Sequence, residues 1–251
     1  IEVASGLMTD QIEAQLVGFL HRQRRGRGRV RAKLAMSLDG RTAMASGESQ
    51  WSTGAAARRD VQRLRAESCA ILTGIGTVLG DDCALTVREA PADGALLPVP
   101  ERRAIRAVAD SRLCTPASAA VLAGSQPSLL LHAEDATVPE SLAAVERQST
   151  AEDETGGLAP QALLDALAAR ECNEILLESG PRLAGAMLQA GLIDELLVYV
   201  APRLLGSSAR PLFALPLTSM AEALDLTLLD ERRLGPDLRL TFAPVRATFG
   251  A

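Results

Sequence analysis

Three segments carry side chains whose types and spacing suit a nucleotide or a phosphorylated sugar. The first is Gly74-Ile75-Gly76-Thr77-Val78-Leu79-Gly80, directly after a short apolar run. Glycines there let backbone approach a ligand closely. The run mimics a dinucleotide fingerprint, but a standard site of that kind needs a helix opening at the glycines. Asp81-Asp82 and an extended Leu85-Thr86-Val87-Arg88 follow instead, which argues against it. The second segment, Glu178-Ser179-Gly180-Pro181-Arg182-Leu183-Ala184-Gly185-Ala186, has the pattern of a strand end, a glycine turn and a helix start. A helix N-terminus offers free N–H groups and a positive dipole end, which suit a pyrophosphate. An ordinary strand-to-helix turn with a solvated Glu178 fits the same residues. The third segment gathers Lys33, Asp39, Arg41, Ser49, Trp51, Arg65, Asp81 and Arg88. Arginine matches phosphate oxygens well, so two arginines and a lysine suit a phosphorylated sugar. Each residue taken singly also fits a surface charge, and Trp51 fits either a core position or a cover for a ring.

These side chains need a scaffold, and the hydrophobic pattern supplies one. Residues 9–21 have helical spacing, with Ile12, Leu16, Phe19 and Leu20 on one face. Strands are predicted at residues 1–3, 30–37, 70–73, 104–109, 128–132, 174–178 and 195–201, with a final pair near 225–231 and 238–242 flanking the turn Gly235-Pro236-Asp237. Helices are predicted from a Ser52 or Thr53 cap through about residue 67, over 160–170 and over 182–190; a short one is hinted at near Leu142, Ala143 and Val145, before a loop at 152–157. Strands alternating with helices argue for an α/β fold with a largely parallel sheet, and the closing pair for an antiparallel edge. The apolar Leu196-Leu197-Val198-Tyr199-Val200 fits core better than interface.

Composition removes several function classes. Aromatic residues are 2% of the 251, too few for a protein that reads single strands by base stacking. The net charge of −5 gives no global pull on polyanions, so an anionic ligand needs local cations. Arginines at 22, 24, 25, 27, 29 and 31 could form a nucleic-acid patch, but in an acidic chain they fit a solvated connector better. Cys69, Cys83, Cys114 and Cys172 form no C-x-x-C pair, so reduced thiols in a cytoplasmic protein are expected rather than zinc or disulfides. No apolar run approaches the roughly 20 residues of a membrane span, and no signal peptide is visible. His21 and His132 have no nucleophilic partner nearby and no H-E-x-x-H exists, which argues against hydrolytic triads and metal hydrolysis. The chain opens on Ile1, and an upstream continuation is expected.

Taken in order, Lys33-Leu34-Ala35-Met36-Ser37-Leu38-Asp39-Gly40-Arg41-Thr42-Ala43, Gly47-Glu48-Ser49-Gln50-Trp51, Asp60-Val61-Gln62-Arg63-Leu64-Arg65 and Asp81-Asp82-Cys83-Ala84-Leu85-Thr86-Val87-Arg88 resemble the reductase domain of the bacterial bifunctional riboflavin-biosynthesis deaminase–reductases. The 178–186 segment, Asp194-Glu195-Leu196 and Pro202-Arg203-Leu204-Leu205-Gly206 extend the likeness over roughly residues 29–244. The resemblance implies a dihydrofolate-reductase-like α/β fold, a mixed and mostly parallel central sheet flanked by helices. It implies NADPH-dependent reduction of 5-amino-6-(5-phosphoribosylamino)uracil to its ribitylamino counterpart. Carried over position by position, cofactor contacts fall on Ala35, Trp51, Thr77, Asp81, Ser111, Gly180, Pro181, Arg182, Leu183, Ala184, Gly185 and Ala186. Substrate contacts fall on Ser49, Arg65, Leu85, Arg88 and Glu178.

Lys33 matches a polar position lining that family's site. With Glu178 it is the candidate for orienting the sugar or moving its protons. Arg65 and Arg88 would clamp phosphate or sugar oxygens, and Ser111-Arg112 would favour the 2′-phosphate of NADPH. The chain departs from the family in Cys83, where proline is usual, and in Ser179. No metal is expected. The upstream zinc deaminase domain of the family, with its H-x-E and P-C-x-x-C motifs, is taken as absent. Residues 1–28 then fit its tail and a basic connector, and residues 29–251 the reductase domain. A homodimer is expected. Two other readings remain: a related reductase of another pyrimidine or pteridine, and a non-catalytic nucleotide-binding module. The intact charged set speaks against the second, and an NADPH-oxidation assay over several substrates separates the first.

Overall fold

Runs of aliphatic residues form strands that are buried on both faces, as parallel strands between helical layers must be. The computed structural model describes residues 5–49, 53–88 and 103–245. Its strands are β1 (Arg29–Ser37), β2 (Arg41–Ala43), β3 (Ala70–Gly74), β4 (Ile105–Ala109), β5 (Ser128–His132), β6 (Arg147–Ser149), β7 (Glu174–Leu177), β8 (Glu195–Ala201), β9 (Arg210–Pro211), β10 (Leu226–Leu234) and β11 (Asp237–Pro244). Among the described residues nine of them form one sheet, ordered β10-β11-β8-β1-β7-β3-β4-β5-β6. β8 through β6 run parallel, and the β10–β11 hairpin closes one edge antiparallel. β2 and β9 pair separately. The expected α/β architecture, mostly parallel with an antiparallel edge, is what forms.

The helices are α1 (Thr9–Gln15), α2 (Val17–Arg25), α3 (Ala55–Ala66), α4 (Ile75–Asp81), α5 (Pro160–Ala168) and α6 (Pro181–Gln189). α5 and α6 cover one face, packing Leu163, Leu167, Ala184 and Met187 on Ala32, Leu34, Leu72 and Leu177. α3 covers the other, packing Ala57, Val61 and Leu64 with Ile71, Leu176, Leu197 and Tyr199. Ile175, Leu176 and Leu177 of the central β7 have no exposed surface, and such burial is worth about 1.5–3 kcal/mol per side chain. Leu196–Val200 is core, as expected.

Several elements differ from expectation. The predicted helix over 9–21 breaks at Leu16 into α1 and α2. Gly18 lets α2 lie so close to Glu174 that a Cβ there would overlap its side chain, whereas α1 buries no residue. The cap of α3 is neither Ser52 nor Thr53. Gly54 takes the position, and its N–H donates to Asp237 Oδ2 from β11 at 2.7 Å. The region near Leu142 forms one 3-10 turn, followed by the unpredicted β6. The predicted strand over 1–3 lies outside the described residues.

The basic segment is not a solvated connector. Arg22, Arg24 and Arg25 close α2, where cations favour the helix end, and Gly26 caps it in the left-handed conformation. Arg27 is buried and forks onto Asp194 at 2.7 and 3.0 Å; Arg29 meets Glu195 at 3.0 Å, and Arg31 meets Glu67 and Glu174 at 3.3 Å. His21 bridges the Arg27 carbonyl and Asp194. Residues 17–31 are therefore tied to the strand starts by acids that the sequence places far away.

Candidate active site

Strand register sets the centre of the site. Ala32 pairs with Leu177, and Leu72 pairs with Leu177 from the other side, so the next residues along, Lys33, Glu178 and Thr73, form a row across β1, β7 and β3. Alternation puts that row on the face under α3. The Glu178 N–H continues the ladder to the Leu72 carbonyl at 2.9 Å. The row stands at the carboxyl ends of β7 and β3 and midway along the longer β1, on the side of the sheet where open α/β folds take their ligands.

From α3, Arg65 reaches down onto Glu178. Its Nε donates to Oε1 at 2.6 Å and its Nη2 to Oε2 at 2.9 Å, while Nη1 donates to the Thr86 carbonyl at 3.1 Å. Burial works to raise the Glu178 pKa, but Arg65 and then Lys33 outweigh it and hold the carboxyl below its ordinary value. Burial dominates at Lys33, whose pKa falls below the ordinary lysine value despite Glu178 and Asp81 pulling it up. Asp81 ends α4 and accepts a hydrogen bond from Ser49 Oγ at 2.8 Å. Burial, then Glu178 and Asp81, push the Cys83 thiol up to about 11, so it stays protonated at neutral pH. The site is thus a compact set of alternating charges, with the Lys33 side chain forming no hydrogen bond among the described residues.

Two glycine turns flank it. Gly74 is the N-cap of α4 and Gly180 the N-cap of α6, neither with a side-chain cap. A Cβ on Gly180 would stand 3.9 Å from Thr77 Oγ1, and one on Gly74 would stand 3.6 Å from Leu183, so the turns are neighbours. The sequence argued that no helix opens at Gly74, and that was wrong: the seven-residue α4 does, ending at Asp81 with Asp82 as its left-handed cap before the extended stretch. Local glycine content hid it, because glycine is a poor helix former.

The sequence candidates now divide. Lys33, Ser49, Arg65, Asp81 and Glu178 are brought together, with Thr77 and Gly180 beside them. Ala35 lies on β1 two residues beyond Lys33, paired with Tyr199. Leu85 is buried at a φ of +50°, and Arg88 is exposed with its N–H on Gln62 Oε1 at 2.8 Å. Ser111 follows β4, and its neighbour Arg112 pairs with Asp135 at 2.6 Å and Glu152 at 3.4 Å. In the 180–186 segment, Gly180, Pro181, Arg182, Leu183 and Ala186 keep exposed surface, whereas Ala184 and Gly185 are buried. Gly185 faces away from the turn, since a Cβ there would run into the Ala214 carbonyl. Trp51 lies outside the described residues.

Asp39 and Arg41 serve elsewhere. Asp39 accepts from the Ser37 hydroxyl and from the N–H groups of Gly206 and Leu205, which hold its carboxyl near a pKa of about 2. Arg41 donates to the Ala209 carbonyl at 3.4 Å. Sequence reasoning missed Thr73, whose buried hydroxyl has no hydrogen-bond partner among the described residues; its place two residues after Ile71 on the same strand face was the available signal.

It also passed over His132-Ala133-Glu134, which has the H-x-E spacing. His132 Nδ1 donates to the Ala133 carbonyl at 2.8 Å, and no group of three metal-capable side chains gathers among the described residues. The cavity of about 340 Å³ between Arg27, Gln161, Leu192 and Val245 lies at the opposite end of the strands and takes no part in this site. No helix among the described residues is long and apolar enough to cross a membrane.

Comparison with known proteins gives this geometry a context. The family model described as the RibD C-terminal domain matches residues 29–240. The riboflavin biosynthesis protein RibD of Escherichia coli K12 is 46% identical over 247 residues, covering 96% of this chain and 66% of the relative. That of Haemophilus influenzae is 38% identical, covering 97% and 66%. The solved structure of Acinetobacter baumannii RibD (form 2) superposes with a TM-score of 0.85 at 38% identity, covering 98% of this chain and 66% of that one. The chain therefore spans just under two thirds of the length of these relatives. With most of its length matched by the family model and the candidate site inside the matched region, the chain belongs to the RibD C-terminal domain family.

Proposed function

We propose that this domain is an oxidoreductase that uses NADPH to reduce 5-amino-6-(5-phosphoribosylamino)uracil to 5-amino-6-(5-phosphoribitylamino)uracil in riboflavin biosynthesis. The observation that carries it is the Lys33–Glu178–Arg65 cluster at the strand ends, set beside the uncapped turns at Gly74 and Gly180. The family relatives named for riboflavin biosynthesis support it.

The residues present suit the cofactor. Uncapped N–H groups at the start of α6, next to Thr77, fit a pyrophosphate, and Ser111 with Arg112 fits a 2′-phosphate. Bound there, NADPH supplies the hydride. The rest falls to side chains. Reduction at C1 of the sugar requires the ring C–O bond to break, and the ring oxygen must receive a proton. Lys33 is the donor we assign: its depressed pKa weakens its hold on the proton, and no hydrogen bond among the described residues ties it down. Glu178, fixed by the fork from Arg65, keeps the ammonium charged and faces the sugar. Arg65 acts as the carboxylate's anchor more than as a phosphate clamp, since three of its five N–H groups already have acceptors, two of them on Glu178. Arg88, exposed beyond Leu85, is the cation for the substrate phosphate.

In the whole protein we place residues 29–251 as the reductase unit after a zinc deaminase domain, working as a cytoplasmic homodimer. The activity is tested by following NADPH oxidation with the phosphoribosylamino substrate and a panel of other pyrimidines and pteridines. Turnover confined to the first supports the assignment; equal turnover with a pteridine, or none with any, overturns it.

A further inference from the structure

Arg106 has no surface exposure and, among the described residues, no carboxylate partner. Buried arginines are normally paired with an acid, because a lone buried charge is costly. Here four carbonyl oxygens take that place. Nη1 donates to Ala84 at 3.3 Å and Ala120 at 3.5 Å, and Nη2 to Ala123 at 2.9 Å and Gln126 at 2.7 Å. Nε has no partner. These carbonyls belong to two separate segments, residues 82–88 and 119–126. A second tie joins the same two, since the Ala120 N–H donates to Asp82 Oδ1 at 2.8 Å.

The first of those segments is the one that meets the site. It carries Cys83, Leu85 and Arg88, and its Thr86 carbonyl accepts from Arg65. It also holds two non-glycine residues in the left-handed region, Asp82 at φ +42° and Leu85 at φ +50°. Such a conformation persists only where surrounding contacts impose it. Arg65 grips the segment from the site side, and Arg106, on β4, grips it from behind.

We propose that Arg106 is a positioning residue for the substrate, a buried cation that draws the Ala84 carbonyl and the 120–126 turn together and so fixes Leu85 and Arg88 at the sugar-phosphate end of the site. This rests on the reading of the site given above. The cofactor turns at Gly74 and Gly180 make none of these hydrogen bonds, so cofactor affinity is independent of Arg106. Lysine at this position reaches fewer of the four carbonyls with its single ammonium and restores only part of the effect.

The test compares Arg106→Met and Arg106→Lys with the unaltered chain, using hydrogen exchange by mass spectrometry, steady-state kinetics and a direct NADPH titration. In Arg106→Met, exchange over residues 83–88 and 119–126 accelerates while β3, β7 and α3 keep their protection. The substrate KM rises about tenfold or more, kcat changes less than about threefold, and the NADPH Kd stays within about twofold. Arg106→Lys falls between, and it carries the comparison if Arg106→Met does not fold. A KM unchanged in both variants, exchange that rises throughout the sheet, or an NADPH Kd that weakens in step with KM overturns the proposal. An unaltered chain with no turnover defeats the proposed function instead, and the exchange pattern then decides whether Arg106 holds this loop.

Discussion

Lys33 and Glu178 stand side by side on β1 and at the end of β7, and burial opposes the charge of both with different outcomes. The folded pKa of Lys33 lies below its unfolded value of 10.5, so folding disfavours the ammonium, a cost present at neutral pH and relieved as pH rises through the folded value. Lys33→Met should therefore raise the melting temperature while cutting kcat by about 10²–10⁴, the usual worth of a general acid. The alkaline limb of the kcat profile in the unaltered enzyme should fall below pH 10.5 and vanish in the variant; an unchanged limb would assign the proton to another group. Glu178 has the opposite sign. Its folded pKa lies below 4.5, so it contributes stability above that pH and loses it as pH falls through the folded value. Glu178→Gln should flatten the loss of stability below pH 4.5, measured by urea unfolding across pH. Arg88→Ala should weaken substrate binding by about tenfold to a hundredfold, the worth of one charge-assisted bond, and leave NADPH titration unmoved. Most of these residues were legible as types in a resembling motif. Their pairing was not, because Arg65 and Glu178 are separated by 113 positions and only the register of β7 against β3 brings them into a fork.

Among elements, α6 shows how a glycine in a binding turn can have a packing duty. Gly180 opens the helix, while Gly185 lies against the carbonyl of Ala214, and the Ala214 N–H donates to the Pro181 carbonyl at 3.0 Å. Gly185→Ala should cost about 1–3 kcal/mol by overpacking and lower the melting temperature. In α4, Gly80 has open space and an ordinary φ, so Gly80→Ala should be neutral or stabilise by up to about 1 kcal/mol. Equal thermal shifts for the two variants would contradict that division. Strands 3, 7 and 8 were readable from aliphatic runs alone. The split of α1 from α2 and the cap on α3 were not, since each involves a distant partner, Glu174 and Asp237, and the start of α4 was hidden by its own glycines.

At the scale of the whole molecule, the alternation of strands and helices gave the class of fold, and the ordered motifs gave the family. The strand order, which places β7 between β1 and β3 and thereby makes the site, follows from neither pattern. Cofactor preference belongs to this scale too, because Arg112 and Ser111 approach from β4 while the glycine turns approach from β3 and β7. NADPH should outperform NADH in kcat/KM, and Arg112→Ala should narrow the gap, provided a phosphate displaces Asp135 and Glu152 from the guanidinium. Light scattering at micromolar concentration should give the mass of a dimer. Hydride transfer to C1 of the ribosyl chain, the step proposed above, is followed by an isotope label. NADPH carrying deuterium at the transferable position of C4 is incubated with the enzyme and 5-amino-6-(5-phosphoribosylamino)uracil, and the product is analysed by mass and NMR. The ribitylamino product should carry a single deuterium at C1 and form mole for mole with NADP⁺. Deuterium in the pyrimidine ring, or NADPH oxidised with the ribosyl chain intact, would contradict it.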